Sequence, residues 1–208
     1  MLVKAFFGGV LSIAITLVLT QIIVTFAPSM ASAGEKSFFN AFFMAAIPEE
    51  FAKWLIFYWI IQRAKDFDQY FDGILYAIFI SMGFALLENV MYVMGSETNG
   101  LGVAVQRAIF AVPGHMLFAV PMGYYLSLSK FESGRDTNYH RMLSLLVPVL
   151  LHGTYDFILM YASANGAVNV GFIVSILIVF IVFNIWMWRQ GLSRIKRHRD
   201  KDLGASPN

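Results

Sequence analysis

The chain reads as an all-α, polytopic membrane helical bundle of about six transmembrane helices, with both termini cytoplasmic. Three observations predict this. Of its 208 residues 58% are hydrophobic and only 13% charged, and the mean hydropathy is +0.65. A soluble domain of this size needs far more polar surface to face water. The apolar residues also fall into six stretches near or above the ~20 residues that a spanning helix requires, without the polar–apolar alternation of a membrane barrel. Finally, the basic residues collect at alternate connections, as the positive-inside rule demands.

The spans run roughly over 6–27, 38–62, 71–94, 103–127, 142–162 and 167–188. The first follows Lys4 and ends before "SMASAG" (29–34), a signal-cleavage-like pattern. Its apolar run is longer than a signal core, so an uncleaved first helix is expected. The second carries "IPEEFAKW" (47–54), the third ends in "LLEN" (86–89), the fourth holds "VPGH" (112–115) and the fifth "LLHGTYDF" (150–157). Pro113 and Gly114 are expected to kink the fourth helix and free backbone groups near His115. Lys4, Arg63, Lys65, Lys130, Arg135, Arg141, Arg189, Arg194, Lys196, Arg197, Arg199 and Lys201 all fall on one side, against Lys36 opposite. Tyr58, Trp59, Tyr124, Tyr125, Trp186 and Trp188 mark the same side as an aromatic belt. Residues 1–190 form one transmembrane bundle with its functional helices within 38–162, and 191–208 form a basic cytoplasmic tail. From Arg189 onward that tail is expected to fray beyond its first turn.

Ionisable residues at membrane depth are expensive and mark function. They are Glu49, Glu50 and Lys53 on the second span, Glu88 on the third, Arg107 and His115 on the fourth, His152 and Asp156 on the fifth. The first and sixth spans carry none. Glu49, Glu50, His115 and His152 lie near the centres of their spans; Glu88 and Asp156 lie roughly 6 Å further outward at ~1.5 Å per residue. Four helices thus place carboxylates and imidazoles in one layer. Lys53 stands four residues from Glu49 and three from Glu50, so one ammonium reaches either carboxylate. The two glutamates project about 100° apart and point to different partners. His152 and Asp156 are again four apart, and an aspartate there fixes the imidazole's tautomer or holds it charged. Plainer readings exist for several of these: Glu50–Lys53 as a structural ion pair, Arg107 as a snorkelling residue, Asn89 as a helix bridge.

Absent cysteine removes disulfides, thiol nucleophiles and Cys-ligated metal. There is no H-E-x-x-H for a zincin and no Gly-x-Gly-Asp to pair with Tyr155–Asp156 as an aspartyl dyad. Ser81 is the one serine near the layer on the second to fifth spans, and no nucleophile motif surrounds it. Carboxylate with imidazole remains: a glutamate can take a proton from water while a second imidazole steadies an oxyanion. The same set suits a metal-dependent hydrolase, a proton-coupled carrier or a non-catalytic binder of a peptide or prenyl chain, and the residues leave these open.

"EEFAK" (49–53), "DGILYAIFISMGFALLEN" (72–89), Arg107, His115 and Gly123 at eight-residue intervals, and "HGTYD" (152–156) resemble, in order and placement, the PrsW family of intramembrane proteases. That family is related to the CAAX prenyl endopeptidases and bacteriocin-processing membrane proteins. The likeness covers residues 45–160; where relatives often carry further glycines in the third helix, this chain has Ala77 and Ser81. The resemblance implies a glutamate-type, metal-independent membrane endopeptidase that needs no cofactor. Glu49 or Glu50 would be the base, His115 its partner, and His152 with Asp156 the oxyanion-stabilising pair. Lys53, Glu88, Asn89 and Arg107 would support them, Glu88 in an unassigned role. It also implies a membrane-anchored protein substrate, such as an anti-sigma factor cut first outside the membrane. No nucleic acid is implied, and the location is the bacterial inner membrane, within the lipid bilayer.

Overall fold

The computed structural model of the protein describes residues 1–97, 99–132, 136–165 and 170–204. Every element among the described residues is helical. α1 spans Leu2–Thr25; a second run comprises α2 (Ala33–Phe39), a π segment (Asn40–Ala46), α3 (Ile47–Ile56) and a second π segment (Phe57–Ile61). α4 (Tyr70–Met94), α5 (Gly100–Ile109), α6 (Ala111–Phe131), α7 (Thr137–Asn165) and α8 (Val170–Gly204) follow. α1, α4, α5 with α6, α7 and α8 are each long and apolar enough to cross a membrane. With the second run they make the polytopic bundle the sequence predicts.

Local chemistry sets the boundaries. Ser32 caps α2: its hydroxyl accepts from Glu35 N at 3.1 Å while Glu35 accepts from Ser32 N at 3.2 Å, the reciprocal box that starts a helix. The first π segment ends beside Pro48, which has no N–H to give. The Met44 carbonyl, four residues back, instead meets the Thr20 hydroxyl of α1 at 3.5 Å. The fourth span breaks at Phe110, three residues ahead of the expected Pro113. Proline fits the first turn of a helix, where N–H groups lack intrahelical partners anyway, so Pro113 opens α6 instead of bending it. The Phe110 carbonyl accepts from Gly114 N at 3.1 Å and from the Tyr155 hydroxyl at 3.0 Å.

α4 is the central helix, packed between α1 and α6. A Cβ on Gly83 would sit 1.9 Å from the Phe6 carbonyl of α1, and one on Gly123 of α6 would sit 2.2 Å from the Gly73 carbonyl of α4. Only glycine lets these backbones touch.

Both termini gather at one end. The Met1 amino group lies 3.7 Å from Asp66, and Lys130 donates to the Ala64 and Phe67 carbonyls. The tail departs from the expectation of fraying: α8 continues to Gly204. His198 is buried, stacks on Tyr124 at 4.2 Å and pairs with its carbonyl at 3.0 Å. Lys201 pairs with Glu132. Asp202 accepts from the backbone N–H groups of Tyr70 and Phe71 at 2.8 and 2.9 Å, satisfying donors that the start of α4 leaves free. A polar segment thus stays helical because His198, Lys201 and Asp202 each find a partner on the bundle. Arg135 and residues 205–208 of the tail lie outside the described residues.

An apolar plug that includes Phe57, Ile61, Phe67, Tyr76, Met122 and Leu126 fills the bundle toward this end. It separates the polar layer from the terminus-bearing face. Gly83→Val is expected to force α1 from α4 and to destabilise the fold by about 3 kcal/mol. The readout is a lower melting temperature of the detergent-solubilised protein; an unchanged melt would mean that the two backbones are not in contact.

Candidate active site

Lys53 is the hub. It projects from α3 into the bundle, 1% exposed, with its ammonium 4.1 Å from the centre of the Phe84 ring. Its Nζ lies 2.8 Å from Glu50 Oε1, 3.4 Å from Glu49 Oε2 and 3.2 Å from His115 Nδ1. An ammonium only donates, so His115 Nδ1 accepts and the ring proton resides on Nε2. That nitrogen faces Glu88 Oε2 at 2.8 Å. Glu88 in turn takes Arg107 at 2.7 Å, and Arg107 Nε donates to Asn89 at 2.6 Å. The role that sequence could not give Glu88 is therefore geometric: it ties His115 to Arg107.

His152 completes the chain on the other side. Its Nδ1 is 2.9 Å from Glu50 Oε1 and its Nε2 is 3.3 Å from Asp156 Oδ2. Both nitrogens face carboxylate oxygens, which a doubly protonated ring satisfies. The two imidazoles meet edge to face, 5.5 Å apart. Every residue singled out from the sequence thus joins one polar network running from Asn89 to Asp156.

The adjacent glutamates differ in setting. Glu50 is fully buried and Glu49 is 7% exposed. Glu49, with Glu88, Arg107, His115, His152 and Asp156, lines a cavity of about 340 Å³; Glu50 does not. The cavity extends past Tyr92, Val103 and Leu159, away from the apolar plug. A larger groove of about 550 Å³ between α1 and α4 shares Glu49, Glu88 and Tyr92 with it.

Sequence reasoning missed the aromatic walls. Phe118 stacks on the His152 ring at 4.7 Å and meets His115 at 6.2 Å, and Tyr92 lies under Arg107 at 3.9 Å. Helical spacing held the signal: Phe84 and Tyr92 flank Glu88 at four residues, and Phe118 follows His115 by three. Ser81, weighed as a nucleophile, instead donates to the His115 carbonyl at 2.8 Å.

Comparison with known proteins decides the family. The family described as "PrsW family intramembrane metalloprotease" matches residues 1–186. The chain belongs to the PrsW family. Protease PrsW of Oceanobacillus iheyensis is 37% identical over 190 residues, covering 90% of this chain and 80% of that protein. Protease PrsW of Clostridioides difficile is 31% identical, covering 95% and 79%; that of Bacillus subtilis is 32% identical, covering 98% and 84%. No solved structure matches the chain. As a PrsW member it is a multi-pass integral membrane protein and an intramembrane endopeptidase.

The "metallo" in the family's description invites a fit test. Donor atoms of Glu49, Glu50, His115 and His152 lie within 4.8 Å of one another, and carboxylates with imidazoles are ligands that zinc or iron accepts. Yet the Lys53 ammonium stands on Glu49, Glu50 and His115 at once. A divalent ion would need the same lone pairs and would be repelled by the charge already there. As folded, the cluster fits a cation, and that cation is Lys53. Lys53→Met is expected to destabilise the fold by about 3–5 kcal/mol, because the buried carboxylates lose their counter-charge. In thermal melts the Lys53→Met/Glu50→Gln protein should recover part of that loss; purely additive losses would show that the pair is not coupled.

Proposed function

We propose that the chain hydrolyses a peptide bond of a membrane-anchored protein with water activated by Glu49, without a metal ion or other cofactor. One observation carries this reading: of the adjacent glutamates, Glu49 opens onto the cavity while Glu50 is enclosed. A cavity water held on Glu49, beside the His115 ring, gives a proton to the Glu49 carboxylate as its oxygen attacks the carbonyl carbon. The oxyanion that forms is stabilised by the His152 Nε2–H, whose 3.3 Å contact to Asp156 is the longer of its two and is shared with the oxyanion. Glu49 then returns its proton to the amide nitrogen, the C–N bond breaks, and an acid and an amine leave. Lys53 and Glu50 hold His115 and His152 in place, and Glu88, Arg107 and Asn89 fix the outer edge.

The side of access follows from charge. With the basic, terminus-bearing end in the cytoplasm, the apolar plug faces inward and the cavity faces out. In a bacterial inner membrane the scissile bond would therefore lie on the extracytoplasmic side. An anti-sigma factor is the substrate type that the family resemblance brings.

A second reading, metal-dependent hydrolysis, is favoured by the four-donor cluster and by Glu50 Oε2, which is buried without a hydrogen-bond partner. It requires the Lys53 ammonium to leave. The two readings part under chelation: the glutamate reading expects purified protein to keep its activity in excess chelator and to carry no stoichiometric metal. Loss on chelation with recovery on adding zinc would replace it. Glu49→Gln is expected to lower cleavage about 10²–10⁴-fold with an unchanged melt, as counted from new substrate N-termini, whereas Glu50→Gln should lower both activity and stability. Full activity in Glu49→Gln would remove Glu49 from the mechanism.

A further inference from the structure

A second groove faces away from the cavity, between the second run and α7. It is apolar, encloses about 740 Å³, and is lined by Phe51, Trp54 and Tyr58 on one wall and Arg141, Leu145 and Leu146 on the other. Phe51, Trp54 and Tyr58 stack in sequence at 6.2 and 5.2 Å. The Trp54 indole N–H donates to Ser144 at 2.8 Å, which joins the two walls. Phe51, Trp54 and Tyr58 lie three or four residues apart on the helix, so they form one continuous face.

Arg141 is the anomaly. Lys53 and Arg107 are paired with carboxylates, and Lys130 caps two backbone carbonyls. The Arg141 guanidinium lies 5.8 Å from the centre of the Tyr58 ring, and its Nε is buried without a hydrogen-bond partner. Among the described residues no carboxylate reaches it. A buried guanidinium donor left without an acceptor costs free energy until one arrives. Its planar fork matches a phosphate better than any other side chain does.

We propose that this groove binds one anionic phospholipid, with its phosphodiester on Arg141 and an acyl chain along Phe51, Trp54, Leu145 and Leu146. Position supports the choice. Arg141 is the fifth residue of α7, at the terminus-bearing end, where a helix rising ~1.5 Å per residue is still near the head-group level. Tyr58, beside it, is the kind of residue found at that interface. Charge complementarity selects the lipid class. No acidic side chain lines the groove, so the ammonium of a zwitterionic head group would find no partner, whereas an anionic head group meets only the guanidinium. A transmembrane helix laid in the same groove would cover its apolar walls and leave Arg141 unmet.

The full chain, purified and stripped of lipid in detergent, can be titrated with phosphatidylglycerol or phosphatidylcholine of the same acyl chains and read by native mass spectrometry. The wild type should hold one phosphatidylglycerol about fivefold more tightly than phosphatidylcholine, the value of one basic contact at a lipid surface. Arg141→Gln should erase that preference, and Arg194→Gln should keep it. Leu146→Trp, which fills the groove, should weaken both lipids. Arg141→Gln has no ion pair to lose and only the long 5.8 Å contact to the Tyr58 ring, and should melt no lower than the wild type in lipid-free detergent, so lost binding is not lost folding. Equal binding of the two lipids to the wild type, or an undiminished preference in Arg141→Gln, overturns the proposal. So does a photo-crosslinker at position 146 that captures a membrane protein in cells instead of lipid.

Discussion

Lys53 sits where a charge is most expensive, inside a bundle that must itself lie in hydrocarbon, and three polar side chains from two helices converge on its ammonium. Remove that charge and the glutamates repel one another in a medium that screens poorly; keep it and they are drawn to one point. The ammonium also dictates proton positions one bond further out. Because it donates to His115 Nδ1, the His115 proton must face Glu88, and Glu88 must then draw Arg107. A single cation on α3 thereby orders side chains on α4, α5 and α6.

That order holds only if the helices stand close enough. Ser81, Phe84 and Glu88 follow one another along one face of α4 and meet, in turn, the His115 carbonyl, the Lys53 ammonium and the His115 ring. This register requires α4 to lie nearly in backbone contact with α6, which Gly123 permits, and with α1, which Gly83 permits. The tail contributes at a distance. By satisfying the first N–H groups of α4, Asp202 helps fix where that helix begins, and the depth of Glu88 follows from that start.

Much of this was legible from order and spacing alone. Six apolar runs gave the bundle, and counting residues from each end placed Glu49, Glu50, His115 and His152 at one depth. The four-residue spacings of Glu49–Lys53 and His152–Asp156 gave two contacts of the network directly. Contacts between helices were not legible, because hydropathy carries no rotation or register. The link from Glu88 to Arg107 and the stacking of Phe118 on His152 therefore appear only in three dimensions. The tail was misread for a related reason: its composition is that of a frayed end, and its partners Tyr124, Glu132 and the α4 backbone are distant in sequence. The π segments left no periodicity signal, since one extra residue in a turn shifts an apolar face too little to see.

The paired glutamates are best understood as one charge held and one charge presented. Glu50 spends a single oxygen on both Lys53 and His152, so its negative charge is matched and screened by two cationic groups. With His152 doubly protonated, the carboxylates of Glu49, Glu50, Glu88 and Asp156 face the cations of Lys53, Arg107 and His152, and one negative charge is left over. Glu50 is held by both Lys53 and His152, and Glu88 by Arg107 at 2.7 Å, which leaves Glu49 and Asp156, both on the cavity and both with longer contacts. Of the adjacent glutamates, Glu49 has the longer contact to Lys53 and the only opening to the cavity. On the proposed mechanism this is the carboxylate that a cavity water can reach, the condition a general base must meet.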